Sequence, residues 1–207
     1  MISARDAAIF AAGAAAAVVG SLIFTATQAK AEPWTGCYAG GLGSYNAAVL
    51  DGGGFGAEGP GIAATVGCDI QRNRFVGGAL AEYGYSTFDL WDADVDLKGW
   101  SLGVRGGVLI WEHTLAYGLV KWVDVDASMD DGDNTIALSG LALGGGTEVA
   151  LGGGFFTRME YTYSMLEPDE DLHYGPDDIQ ANVHSARLGF IYKFGGPDVL
   201  PAAAPLK

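Results

Sequence analysis

The sequence predicts an all-β protein, an eight-stranded antiparallel up-and-down transmembrane β-barrel. Three observations lead to this fold class. Apolar and polar side chains alternate in eight separate runs, and a side-chain period of two is typical of β-strands. The connections between the runs are alternately short and long, which places all the short connections at one end of the predicted barrel. The last run, residues 183–194, has one continuously apolar face and an opposite face that carries Arg187 and Lys193, as in a strand between lipid and a polar lumen.

The N-terminal segment predicts a removable secretion signal. Arg5 precedes an Ala-rich apolar run, and Ala29-Lys30-Ala31 has the small-x-small pattern of a cleavage site. A retained membrane helix is the alternative, because residues 7–29 are long enough to span a bilayer. A lipid-modified Cys37 is a further alternative, although polar residues separate it from the apolar run. The expected organisation is a cleaved signal peptide, a barrel and a Pro/Ala-rich tail: residues 1–31, 32–194 and 195–207.

The strands follow one another from residue 34. The second and sixth alternate most clearly, whereas the first and fifth are ambiguous in phase and are supported by their length and neighbours. The sequence contains 33 glycines, and many of them lie within the alternating runs, which suggests sharply bent strands. The predicted strands cover residues 34–48, 62–71, 75–88, 100–111, 114–125, 140–151, 154–165 and 183–194.

The connections determine the topology. Short turns are predicted at residues 71–74, 112–113 and 152–153, and the long polar connections are 49–61, 89–99, 126–139 and 166–182. This is the plan of bacterial barrels, which have short periplasmic turns and longer external loops. No stretch of the mature chain is typical of a membrane helix. A closed barrel is then the spanning structure that pairs every backbone group.

Four sequence runs resemble a known family. WTGCYAGG from Trp34 is similar to the opening strand of the small alphaproteobacterial outer-membrane β-barrel proteins, which include the rhizobial and Brucella-type surface antigens. GGGTE from Gly144, RMEYTY from Arg158 and RLGFIYKF from Arg187 resemble its sixth, seventh and closing strands. The resemblance implies an eight-stranded barrel in the outer membrane of a Gram-negative cell, with a structural or surface role and no catalytic residues.

The closing strand carries a further implication of this resemblance. Phe190, Tyr192 and Phe194 resemble the signal that the barrel-assembly machinery reads. The family normally ends at this Phe, whereas thirteen residues follow it here. The family also usually has a large aromatic residue at the position of Cys37.

The apolar faces of the strands direct charged residues into the lumen. Because an eight-stranded barrel is only wide enough for its own side chains, and buried charges need partners, these residues predict a salt-bridged plug. A narrow or gated conductance path through the same network is the alternative. The predicted lumen charges are Asp69, Glu82, Arg105, Lys121, Glu148, Arg158, Glu160, Arg187 and Lys193.

Acidic residues dominate the long connections. The net charge of −14 argues against a nucleic-acid partner. A solvated, repulsive rim is one interpretation, and binding of divalent cations shared with lipopolysaccharide is the other, since carboxylates suit hard cations. Residues 130–134 are the densest acidic run, but they lack EF-hand spacing. We expect the outer-membrane lipid and lipopolysaccharide to be partners and no built metal site.

The two cysteines occupy facing positions near the turn ends of the first two strands. In an oxidising compartment, Cys37 and Cys68 permit a cross-strand disulfide. Two buried free thiols are the favoured alternative, because Cys behaves as a small hydrophobic residue.

No catalytic site or cofactor is expected. His113 lies in a predicted turn, His173 in an acidic loop, and His184 and Ser185 point to opposite faces of a strand. Residues 144–146 lack the helix and Lys of a phosphate loop. We expect a structural barrel that contributes to envelope integrity and surface properties. The alternatives are a small channel and an adhesive or ligand-binding surface module, and a lipocalin-like barrel would need the reverse face pattern.

Overall fold

The computed structural model describes residues 34–50, 56–90, 93–129, 135–168 and 181–194. The described residues form eight antiparallel strands in one closed barrel, so the predicted fold class is confirmed. The predicted signal peptide and tail lie outside the described residues. The strands are β1 (Gly36–Leu50), β2 (Gly56–Arg72), β3 (Phe75–Leu90), β4 (Ala93–Trp111), β5 (Thr114–Met129), β6 (Thr135–Gly152), β7 (Phe155–Pro168) and β8 (Ala181–Phe194).

Each strand pairs with the next strand in the chain, and β8 pairs with β1 to close the barrel. The strands are strongly staggered. Following paired residues around the barrel from Tyr38 on β1 leads back to β1 at Ala48, ten residues along. This stagger tilts the strands and sets a diameter that side chains can fill. No helix among the described residues is long and apolar enough to span a membrane.

Three short turns lie at one end of the barrel, which we call the turn end; the opposite end is the loop end. The β6–β7 turn is formed by Gly153 and Gly154, with φ angles of 60° and 81°. Positive φ at both central residues is the geometry of a type I′ hairpin turn, which favours glycine. The turn therefore lies one residue beyond the predicted Gly152-Gly153.

The strand boundaries at the loop end were predicted wrongly. β2 begins at Gly56 and β4 at Ala93, so residues assigned to long acidic connections belong to strands. Asp126, which was assigned to the next connection, also lies within β5. Acidic side chains on the outer wall do not interrupt backbone pairing, which explains why composition misplaced these boundaries. At the other end, Trp34 precedes β1 and is not part of it.

The outer wall is apolar and carries two groups of exposed aromatic residues. One group near the turn end and one nearer the loop end correspond to the aromatic girdles that flank the lipid-facing band of membrane barrels. The phases of β1 and β5, ambiguous in the sequence, are resolved: Tyr38, Leu42, Leu115 and Leu119 point inward. The girdle residues are Phe75, Trp111, Phe155, Tyr192 and Phe194 at the turn end, and Tyr45, Tyr83, Tyr85, Trp122 and Tyr161 nearer the loop end.

Candidate functional site in the barrel lumen

The structure brings the nine predicted lumen charges together inside the barrel. Each occupies an inward position of its strand, and all except Arg187, which is partly buried, are almost fully buried. They form two connected tiers along the barrel axis. The turn-side tier consists of Asp69, Arg105, Glu148, Arg158 and Lys193, and the loop-side tier consists of Glu82, Lys121, Glu160 and Arg187.

The turn-side tier is built around two carboxylates. Arg105 donates from Nη2 and Nε to the two oxygens of Asp69, at 2.5 and 3.0 Å. Its Nη1 donates to Glu148 at 2.8 Å. Arg158 donates from Nε and Nη2 to the same Glu148 oxygen, at 2.9 and 2.8 Å. Lys193 lies 2.7 Å from Asp69 and 3.2 Å from Glu148, so each carboxylate contacts more than one base.

The loop-side tier is linked through Glu82 and Glu160. Lys121 Nζ and Arg187 Nη1 donate to Glu82 Oε2, at 2.7 and 2.9 Å. The same Arg187 nitrogen donates to Glu160 Oε1 at 2.8 Å. Tyr117 connects the tiers, because its hydroxyl donates to Glu160 at 2.9 Å while the Arg105 guanidinium lies 5.0 Å from its ring centroid.

Five bases share four acids in this network, and the excess base is in the turn-side tier, where three bases share two acids. Aromatic rings surround one of these three bases. Lys193 Nζ lies 5.0, 5.5 and 5.0 Å from the ring centroids of Trp34, Tyr38 and Phe156. The faces of such rings attract a cation, most strongly where water is excluded. The rings therefore add to the stabilisation that Asp69 and Glu148 give this lysine.

An apolar seal, which the sequence did not predict, closes the lumen on the turn side of the network. Trp34 is 0% exposed, and its backbone nitrogen donates to Gln71 Oε1 at 3.2 Å. Its ring packs against Phe156, with centroids 5.0 Å apart. Together with the two tiers, the seal fills the turn-side part of the lumen. The apolar seal comprises Trp34, Val76, Leu109, Leu115, Phe156 and Ile191.

A cavity of about 140 Å³ lies on the loop side of the network. Glu82, Lys121 and Arg187 contribute to its lining at the network side. Hydroxyl-bearing residues of several strands line it as well. Nearer the loop end, its lining changes to an apolar collar. The hydroxyl residues are Ser44, Ser86, Ser101, Thr162, Ser164 and Ser185, and the collar comprises Phe88, Leu97, Val123, Val125, Leu166 and Val183.

Comparison of the chain with known proteins agrees with this architecture. Residues 14–194 match the family model described as outer membrane protein beta-barrel domain. The chain belongs to this outer-membrane β-barrel family. It is 32% identical over 181 residues to a 22 kDa outer membrane protein of Rhizobium leguminosarum bv. viciae, covering 82% of this chain and 83% of that relative. The resemblance noted in the sequence is thereby confirmed, as is location in the outer membrane.

Two solved structures show the same fold. Neisserial surface protein A aligns with a TM-score of 0.60 and 15% identity, covering 77% of this chain and 98% of its own. Ail, the attachment invasion locus protein of Yersinia pestis, aligns with a TM-score of 0.51 and 19% identity, covering 77% and 99%. At these identities the comparison concerns the fold alone.

The two cysteines of this family member form a disulfide in the structure. Cys37 on β1 is directly paired with Cys68 on β2. The favoured expectation of two buried free thiols was therefore wrong. Both side chains point to the outer wall and are only partly buried, because their strands place Tyr38 and Asp69 in the lumen.

The remaining predicted residues lie on the outer wall or outside the described chain. Phe190, Tyr192 and Phe194 project outward from β8 and are exposed. Recognition of these residues by the barrel-assembly machinery stays a prediction. His184 also points outward, with Nδ1 2.6 Å from the Tyr161 hydroxyl. Residues 130–134 and His173 lie outside the described residues. Within the described ranges, no group of three or more His, Cys, Asp or Glu residues is arranged to hold a metal ion.

Proposed function

We propose that this protein is a structural barrel with a closed lumen, which contributes to the integrity and surface properties of the outer membrane. The observation that carries the proposal is the filled cross-section of the lumen. Two tiers of buried ion pairs and an apolar seal lie in series along the barrel axis. An ion that crosses would have to displace all three layers.

The energetics of the network support a closed state. Removing one partner of a buried ion pair typically costs about 3–5 kcal/mol, because the other charge is left without compensation. The carboxylates of Glu148 and Asp69 each hold more than one base. Opening a path would therefore break several such contacts together. We therefore propose that the lumen holds a static plug, and the proposed function involves no catalytic step.

Recording in planar bilayers tests this proposal against the alternative of a small channel. Purified, heat-modifiable protein should give no steady conductance steps, while a conducting porin reconstituted in parallel shows that insertion is detected. Steady steps from the wild-type barrel would overturn the closed-lumen proposal and favour narrow conductance.

Lipid A should retain its full acyl pattern when the protein is expressed, as expected of a barrel that does not process lipid.

We further propose that the turn end faces the periplasm and the loop end faces outward. Residues 34 and 194, which bound the described barrel, both lie at the turn end, so this orientation places both termini in the periplasm. Short periplasmic turns are the rule in bacterial barrels. Protease accessibility of a tag inserted within residues 130–134 on intact cells is the measurement, and protection there would contradict the orientation.

The outer wall at the loop end favours contact with lipopolysaccharide through divalent cations. Glu58, Asp96 and Asp126 project outward there, and Lys98 faces Asp126 across β4 and β5. Carboxylates can share Ca²⁺ or Mg²⁺ with anionic headgroups. Chelation should lower the melting temperature of the barrel in lipopolysaccharide-containing bilayers but not in phosphatidylcholine. An unchanged melting temperature in both would contradict this contact.

A further inference from the structure

The apolar collar is the feature that the closed-barrel proposal leaves unexplained. Lumen surfaces of membrane barrels are ordinarily polar, yet Phe88, Leu166 and Val183 are buried on the lumen side near the loop end. They are 3%, 3% and 8% exposed. A structural plug does not require a change from charged to hydroxyl to apolar lining within one cavity.

The size of the cavity suits a compact small molecule. Its volume of about 140 Å³ is close to that of an engineered apolar cavity of about 150 Å³ that holds benzene. Small residues on the surrounding strands leave this space. Gly84 and Ala63 line it beside the collar, and a Cβ added at Gly84 would meet only ordinary contacts, at 3.4 and 3.5 Å.

The charges at the base of the cavity select the sign of the ligand's polar end. The lining contains two bases, Lys121 and Arg187, and one acid, Glu82. Both carboxylate contacts of Arg187 use Nη1, and neither uses Nη2 or Nε. A guanidinium edge of this kind suits a carboxylate. Glu82 Oε2 already accepts hydrogen bonds from Ser101, Lys121 and Arg187, and its Oε1 is buried away from the cavity surface, so neither oxygen is exposed to a cation in the cavity.

The hydroxyl residues extend this preference along the cavity wall. Ser101, Thr162 and Ser185 lie on strands β4, β7 and β8, which surround the charged base. Hydroxyls can donate to an anion without bringing a full charge of their own. Asn46 adds an amide on β1, which already donates to Ser44 and Ser86 at 3.2 Å. The wall is therefore suited to a polar group, and the collar above it to a hydrocarbon body.

We propose that this cavity is a binding site for a small amphipathic monocarboxylate of the size of benzoate. The carboxylate would accept hydrogen bonds from Arg187, Lys121 and the neighbouring hydroxyls. The apolar body would contact the collar. The site is a blind vestibule, since the network that forms its base also closes the lumen, and binding does not require conduction.

Titration with fluorinated probes tests the site. The protein is transferred from outer membranes to phospholipid nanodiscs, because detergent would compete for the collar. 4-Fluorobenzoate and 4-fluorobenzylammonium are titrated and followed by ¹⁹F NMR, with empty nanodiscs as the background. We expect saturable one-to-one binding of the carboxylate, about tenfold tighter than that of the ammonium. No saturable carboxylate binding, or tighter binding of the ammonium, would overturn the proposal.

Two glycine substitutions locate the binding. Gly84→Val adds bulk to the cavity and should weaken carboxylate binding by roughly tenfold or more. Gly106→Val is the matched control, because a Cβ at Gly106 meets nothing within 4 Å and its position on β4 faces outward. Heat-modifiable migration confirms that both variants fold. Equal carboxylate affinity in the two variants would place the binding elsewhere and overturn the assignment. Bilayer recording of the wild type reports on the closed lumen independently of this result.

Discussion

Trp34 packs its ring against Phe156 across the turn end of the lumen, with centroids 5.0 Å apart and ring planes inclined by 60°. Trp34 precedes the first strand, yet it is fully buried. Lys193 Nζ lies 5.0 Å from the centroid of each of these rings. Trp34 is therefore part of the interior although it precedes β1, and this aromatic pair joins the apolar seal to the charge network.

Removing the indole should destabilise the barrel without opening it. Trp34→Ala is expected to lower the free energy of unfolding by about 3–5 kcal/mol, the usual cost of deleting a large buried aromatic side chain. Urea titration in bilayers, followed by the heat-modifiable gel shift, measures this loss. Because both tiers of ion pairs persist, planar-bilayer recordings of the variant should show no steady steps.

Trp111→Ala is the control for this substitution. Trp111 is 71% exposed on the outer wall at the same end of the barrel, so its removal leaves the seal intact and should cost less. An equal or larger loss for Trp111→Ala would contradict the interior role of Trp34.

Of the lumen acids, Glu148 is the one whose loss should lower the stability of the barrel most. Its side chain is fully buried and contacts Arg105, Arg158 and Lys193. Glu148→Gln leaves three bases with Asp69 as their remaining carboxylate in the turn-side tier, and we expect a loss of about 3–5 kcal/mol. The midpoint of urea unfolding measures it. Glu58→Gln, on the exposed outer wall, should change stability by no more than about 0.5 kcal/mol in bilayers without lipopolysaccharide.

A second substitution separates charge imbalance from lost packing. Arg158→Met in the Glu148→Gln background removes one of the unpaired bases, so part of the lost stability should return. This non-additivity is expected of residues that share one network. Purely additive losses would show that the pair acts through packing alone.

The inward set of charges could be predicted from the sequence because a period of two fixes the face of every residue once one face is known to be apolar. Glu82, Arg105 and Arg187 illustrate this, since each lies opposite clearly apolar neighbours on its own strand. Contacts between side chains of different strands depend on how far neighbouring strands are shifted along each other. The alternation of side chains within one strand does not encode this shift. The sequence therefore predicted which charges face the lumen, and the structure adds how they divide into two tiers.

The collar and the seal were missed for different physical reasons. Leu166 fell within a predicted acidic loop, because the sequence does not show that strand pairing continues past the lipid-facing band. Trp34 was assigned to the first strand, whose phase was ambiguous. Once Tyr38 is known to point inward, the same alternation places Trp34 inward as well. Both errors concern the strand ends, where apolar patterning no longer distinguishes the faces.

The disulfide should stabilise the barrel without being required for its fold. Cys37 and Cys68 enclose a sequence separation of 31 residues, and closing such a loop contributes about 2–4 kcal/mol. The double variant Cys37→Ser/Cys68→Ser should lose stability of this order, yet it should still migrate as a folded barrel, because backbone pairing of β1 with β2 and β8 persists.

Reduction provides the internal control for the disulfide. Treatment with dithiothreitol should shift the unfolding midpoint of the wild type to that of the double variant and leave the double variant unchanged. Mass spectrometry under non-reducing conditions should show the wild type lighter by two hydrogens than its reduced form. Two free thiols in the untreated protein would contradict the disulfide.

Two glycines of β4 should respond oppositely to the same added methyl group. A Cβ at Gly103 would lie 2.5 Å from the Val120 carbonyl oxygen and 2.6 Å from Lys121 Cγ, whereas one at Gly106 would meet nothing within 4 Å. Gly103→Ala must therefore displace β5 or the lysine that binds Glu82, and overpacking of this kind costs about 1–3 kcal/mol. Gly106→Ala should be neutral or stabilising by up to about 1 kcal/mol, because it restricts the unfolded chain without strain. The midpoints of urea unfolding of the two variants test this contrast. Equal midpoints would show that close contact between β4 and β5 is not the reason for glycine at position 103.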